Sequence, residues 1–169
     1  MDFNVGDPVM HWMYGFGHVV GIEEWEIAER NSLYYAISIR DLNVWVPDDD
    51  QLEFRLRAPM SKKKFQGLFA ILTGHGEPLS TDRQERKTWL VEKMKDGQAA
   101  SLCTVLRALA TYQQEHQLND HDQSVMKRSI EALLGEWIHA FAVPISEAER
   151  ELHRMLADGN TTGEKKKDR

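Results

Sequence analysis

Phe3-Asn4-Val5-Gly6-Asp7-Pro8-Val9, then Tyr14-Gly15-Phe16-Gly17-His18-Val19-Val20, then Leu42-Asn43-Val44-Trp45-Val46-Pro47 are the stretches that decide the fold. Phe3, Val5 and Val9 alternate with polar residues, and Gly6-Asp7 interrupts them as a turn. Tyr14-Gly15-Phe16-Gly17 is a second turn, whose glycines can take positive φ and let strands fold back sharply. A long strand follows from His18 to about Ile27, with Val20 and Ile22 on one face. Glu29-Arg30-Asn31-Ser32 reads as a polar hairpin loop. Leu33 to Ile39 is rich in β-formers, and Leu42, Val44 and Val46 alternate until Pro47 ends the strand. Five short strands in about 47 residues predict a small β-barrel. A barrel of this kind usually binds another macromolecule.

Beyond about residue 60 the pattern becomes helical, giving an α+β chain. Asp48-Asp49-Asp50 is a charged connector, and Arg55 and Arg57 lead into the helical part. Ser61 is a good N-cap for a helix carrying Phe65, Leu68, Phe69 and Leu72. A second helix, from about Thr81 to Lys95, turns Leu90 and Met94 inward and stops at Asp96-Gly97. The third carries Ala99, Leu102, Leu106 and Leu109. Asn119 caps a fourth with Met126, Ile130, Leu133, Leu134, Trp137 and Phe141, and Pro144 ends it. Ser146-Glu147-Ala148-Glu149 reads as a capping box opening a fifth helix. The expected organisation is a barrel over 1–57, about five helices over 58–158 and a disordered tail over 159–169.

The 169 residues carry a net charge of -6, unevenly spread. Residues 1–57 hold 4 Lys+Arg against 11 Asp+Glu, a net -7. Residues 58–169 hold 17 against 16, a net +1. Two modules with different partners are implied. Lys62-Lys63-Lys64 and the trio Arg83, Arg86, Lys87 could meet phosphate; the plainer reading makes them solvated helix faces. The single cysteine, Cys103, excludes an internal disulfide framework and suits a reducing cytoplasm. No apolar run approaches the roughly 18–20 residues that span a bilayer, and Met1-Asp2-Phe3 lacks a signal-peptide pattern, so a soluble cytoplasmic protein is expected.

Catalytic patterns are weak. His116 and His121 lie five apart across a helix break and do not share a face as a metal pair would. Cys103 sits on an apolar helix and reads as a buried small side chain. Gly15-Phe16-Gly17 lacks the third glycine and following helix of a phosphate cradle. No metal, cofactor or small-molecule substrate is expected, and the chain reads as no enzyme. The tryptophans carry more. Trp45 lies between inward Val44 and Val46, so parity turns it outward; Trp25 has the opposite parity to Val20 and Ile22. Exposed aromatics are enriched at protein interfaces, so partner contact is expected of the pair, with a structural role as the alternative. Trp89 and Trp137 lie on helices and read as core.

Val5-Gly6-Asp7-x-Val9, Gly15 and Gly17, Ile22-Glu23, Tyr34 and Leu42-x-Val44-x-Val46-Pro47 together resemble the CarD family of bacterial transcription regulators. Met94-Lys95-Asp96-Gly97 resembles the family's glycine-terminated helix end. Val105-Leu106-Arg107-Ala108-Leu109 is similar to its "VVRDL" segment, and Gln117-Leu118-Asn119 to the start of the next helix. The resemblance implies a Tudor-like N-terminal module that binds the RNA polymerase β subunit. It also implies a helical module that contacts promoter DNA at the upstream edge of the bubble and stabilises the open complex, partly by wedging a tryptophan into the minor groove.

This chain departs from the pattern at those positions. Counting back from Gly97 puts Arg83 at the wedge position, with Trp89 six residues later. Trp25 and Trp45 stand where the resemblance implies polymerase-contacting arginines. The expectation is polymerase binding through Trp25 and Trp45, and electrostatic DNA contact through Arg83, Arg86, Lys87 and Lys62 to Lys64. The alternative is a protein-interaction adapter whose barrel binds polymerase or another protein and whose helices no longer touch DNA.

Overall fold

The computed structural model describes the backbone of residues 2–167 and the side chains of residues 2–161. It forms two compact units, Met1–Pro59 and Met60–Arg169. The first is a five-stranded antiparallel sheet ordered β4-β3-β2-β1-β5. Its strands are β1 (Pro8–His11), β2 (Gly15–Ile27), β3 (Arg30–Ile39), β4 (Leu42–Pro47) and β5 (Leu56–Arg57). A short helix α1 (Leu52–Arg55) precedes β5. The inner face buries Val9, Val19, Ile37, Ile39 and Val46, with Leu52 of α1 and Leu56 of β5 completing the core. The ring of Phe3 meets Tyr35 edge-on at 5.6 Å and pins the N-terminal segment over it.

The Tudor-like module is present, but several local expectations are corrected. Phe3 to Val5 is not a strand; the fifth strand is Leu56–Arg57, which pairs with β1 after the acidic connector. The β2–β3 turn is only Ala28-Glu29, both at positive φ (52° and 63°), while Asn31 and Ser32 belong to β3. Val20 is exposed, because a bulge between Val19 and Gly21 turns it out and seats Val19 inward. Gly15 does sit at positive φ (87°). Gly17 is needed for another reason: a Cβ there would lie 2.5 Å from the Ser38 carbonyl oxygen, so glycine lets the strands close.

The second unit contains α2 (Lys62–Gln66), α3 (Phe69–Thr73), α4 (Arg83–Met94), α5 (Ala99–Tyr112), α6 (Asp120–Phe141) and α7 (Ile145–Lys167). The helix expected from Ser61 to Leu72 is two short ones, broken at Gly67-Leu68. Ser61 does cap α2, its hydroxyl accepting from the Lys64 N–H. Asn119 opens α6 in a full capping box with Asp122. α7 begins at Ile145, ahead of the expected Ser146 box. Leu106, Leu133, Leu152, Cys103 and Trp137 meet in one apolar cluster, and Leu90, Val105, Leu109 and Val125 in another. Trp137 is core as expected; Trp89 is half-buried and packs at the edge of the second cluster, with the Lys93 ammonium 5.5 Å from its ring centroid.

The expected disordered tail is corrected over its described part: 159–167 continues α7, and 168–169 lie outside the described residues. The reason is tertiary. Arg107, only 1% exposed, donates from Nη1 to the carbonyls of Leu72 and Leu156, both at 2.8 Å, and from Nη2 to Asn160. These acceptors are all neutral, and burial lowers the pKa of the guanidinium. Gly159 makes room: a Cβ there would strike the Arg107 guanidinium and come 2.9 Å from the Gly74 carbonyl oxygen. Among the described residues no helix is long and apolar enough to cross a membrane.

Candidate binding surfaces

The outer face of the sheet carries the first surface. Register places Glu23 opposite Tyr34, Trp25 opposite Ser32, and Trp45 opposite Ala36. Side chains alternate across a strand, so Glu23, Trp25, Tyr34 and Trp45 share one face, opposite Ile37 and Val46. Trp25 is 38% exposed and Trp45 42%. For Trp45, beside buried Val46, this agrees with the parity reading; Trp25 is exposed as expected, but Val20 and Ile22, against which its parity was read, are exposed too. Trp25 stacks on Tyr34 with centroids 4.6 Å apart and meets Trp45 at 6.0 Å.

One carboxylate organises the cluster. Glu23 Oε2 accepts from the Trp25 indole N–H at 2.9 Å and from the Trp45 indole N–H at 3.0 Å. Two strands are thereby tied through one acid, with both indole donors satisfied and the ring surfaces left toward solvent. Sequence reading found the two tryptophans by parity. Glu23 and Tyr34 stand in the sequence only as residues of the family resemblance, because their placement beside the indoles depends on register between strands.

The helical unit carries the second surface, and one expected residue leaves it. Arg86 is 4% exposed. Its Nε and Nη2 bind Asp122 Oδ2 at 3.0 and 2.9 Å, and Nη1 donates to the Ser80 carbonyl and to the Tyr112 hydroxyl at 3.1 and 3.2 Å. The hydrogen bond to Asp122 is the main reason its pKa is raised. Arg86 therefore clamps α4 to α6 and α5, and the expectation that it faces phosphate is corrected. The sequence held the signal: Arg86, Leu90 and Met94 follow at intervals of four on one helical stripe.

Arg83 and Lys87, also four apart on α4, are exposed. Asp82 caps that helix, its side chain accepting from the Glu85 N–H at 2.8 Å. Lys62, Lys63 and Lys64 on α2 are exposed as well, and the Lys62 ammonium lies 5.3 Å from the Phe141 ring centroid. His121, considered from the sequence only as half of a metal pair with His116, lies within the field of the α4 cations. Its pKa is lowered by burial first, then by Lys87, with Arg128 and Arg86 acting the same way against Asp122. Its Nδ1 is buried and has no hydrogen-bond partner among the described residues.

An exposed aromatic face on a small sheet and exposed cations on a helical unit are the candidate surfaces of a two-module chain. Similarity to known proteins gives the family. Residues 3–52 match the CarD-like/TRCF RID domain, and residues 67–153 match the CarD C-terminal domain. The chain belongs to the CarD-like family, one of transcription regulators rather than enzymes, whose partners lie in the transcription machinery. It is also similar to YdeB of Bacillus subtilis (strain 168), by name a candidate transcription factor. The two are 28% identical over 140 residues, covering 79% of this chain and 89% of that one.

Proposed function

We propose that this regulator binds the RNA polymerase β subunit through the Trp25–Tyr34–Trp45 face and approaches promoter DNA through Arg83, Lys87 and Lys62 to Lys64. In this reading it alters the lifetime of the open complex near the upstream edge of the bubble. The observation that carries it is the exposed aromatic cluster on the module matched to the RID domain. Rigid aromatic anchors of this kind dominate protein interfaces. DNA contact here is electrostatic, because the wedge position holds Arg83.

A pulldown with the β subunit, wild type against Trp25→Ala/Trp45→Ala, tests the first contact. Retention of β by the double variant at wild-type strength overturns the interface. For DNA, binding is measured across salt concentrations with Arg83→Gln/Lys87→Gln. If both cations neutralise phosphates, the magnitude of the log–log salt slope falls by about 2.

The adapter reading is favoured by one specific finding: Arg86, the centre of the expected basic trio, is buried on Asp122. It predicts wild-type binding to polymerase and no salt-dependent DNA binding.

A further inference from the structure

The aromatic face has a definite chemical complement. Its neighbours in the register are Gly21, Ser32, Ala36, Asn43 and Pro47, none of them charged. Glu23 is the acid among them, and the cation on that face is Arg30, out at the hairpin end opposite Ile27. Among the described residues Glu23 Oε1 has no hydrogen-bond partner, while Oε2 holds both indoles. Three ring surfaces therefore lie beside a carboxylate oxygen with open acceptor capacity. The module around them carries 4 basic against 11 acidic residues.

We propose that Glu23, Trp25, Tyr34 and Trp45 form a receptor for an arginine side chain of the protein that the barrel binds. The proposal rests on the reading of this face as the polymerase-docking surface and names what it takes there. A guanidinium is flat, so it can lie against an indole or phenol ring, where the ring quadrupole attracts it. Its edge N–H groups can meanwhile donate to Glu23 Oε1 in a charge-assisted hydrogen bond. A lysine ammonium can use the rings or the acid but lacks the planar fit. An acidic partner side chain is repelled by Glu23 and by the net charge of the module.

The test uses the full chain labelled with ¹⁵N and the indole N–H resonances of its tryptophans, assigned with Trp25→Phe and Trp45→Phe. The probes are N-acetyl-arginine methylamide, the lysine and glutamate analogues, and the citrulline analogue, an uncharged near-isostere of arginine. The proposal expects arginine to shift the Trp25 and Trp45 indole signals saturably, more tightly than lysine, with no saturation by citrulline or glutamate. Glu23→Gln keeps an oxygen for the indole N–H groups and removes the charge, so it should weaken arginine about tenfold with the rest of the spectrum unchanged. Equal shifts from citrulline and arginine, or undiminished arginine binding by Glu23→Gln, overturn the proposal.

A polymerase β pulldown with Glu23→Lys separates the proposal from the reading beneath it. If wild type retains β and Glu23→Lys retains it equally, the arginine receptor is wrong and the docking surface stands. If wild type does not retain β while the arginine probe still saturates, the receptor stands and its owner is another protein.

Discussion

Replacing Arg86 by methionine is the sharpest check on the division between structural and surface cations. The substitution keeps much of the side chain's length and removes the charge. Asp122, 1% exposed, then loses both guanidinium contacts and keeps the Asn119 backbone N–H at 3.3 Å. The Ser80 carbonyl and the Tyr112 hydroxyl lose their donor at the same time. Breaking one side of a buried ion pair costs about 3–5 kcal/mol, much of it from the charge left behind. With a urea m-value of about 2 kcal/mol/M, the unfolding midpoint of the helical unit falls by roughly 2 M. Arg86→Met/Asp122→Asn should recover a substantial part. No unpaired charge then remains buried, and the introduced amide oxygen can still accept from the Asn119 N–H in the capping box. Far-UV circular dichroism in urea reads the loss. Without urea, where the variant is folded, its salt slope for DNA should equal wild type. A stability loss under about 1 kcal/mol together with a salt slope reduced by about 1 would refute the buried clamp and return Arg86 to the phosphate-contacting set.

Three further outcomes follow from the local geometry. His11, 7% exposed, accepts at Nδ1 from the Met13 and Tyr14 N–H groups, and burial pushes its pKa down from 6.5 to about 4. The neutral ring is the folded form, so its contribution is complete above pH 6.5 and lost as pH falls through 4. The sheet unit should lose about 3 kcal/mol between pH 7 and pH 4 through this residue, and urea titrations of His11→Asn should show that increment missing. Ala28→Asn/Glu29→Gly should stabilise the hairpin by about 1 kcal/mol, since both positions sit at positive φ without glycine's freedom; an unchanged or lower unfolding midpoint counts against it. Gly159→Ala should destabilise the helical unit by about 1–3 kcal/mol despite alanine's better helix propensity, because the new methyl meets Arg107; a rise in melting temperature would contradict that packing.

What could be read from the chain followed from local periodicity. The stripes Leu90-Met94 and Leu102-Leu106-Leu109 placed α4 and α5, and Asn119 placed the start of α6. Parity turned Trp25 and Trp45 outward before any strand was paired. The misses are non-local. β5 is two residues long and exists through its pairing with β1. The α7 extension depends on Arg107, far earlier in the chain, reaching the Leu156 carbonyl and Asn160. The bulge after Val19 breaks the alternation that placed Val20 inside, and no nearby residue type announces it. Glu23 joined the aromatic face only once three strands were in register. Arg86 is legible in principle, since it shares the buried stripe of α4 with Leu90 and Met94.

Cys103 gives the chain a built-in clock. It is fully buried on α5, and burial pushes its thiol pKa up to about 12. Thiol reagents need an accessible thiolate, so labelling at neutral pH waits for the helical unit to open. The sheet unit contributes no second thiol, since this is the single cysteine of the sequence. The labelling rate therefore times the opening of one half of the molecule without any engineered probe. Occupancy of the helical unit by DNA should slow that clock, while a ligand confined to the sheet unit leaves it running at its own pace unless the two halves are energetically coupled.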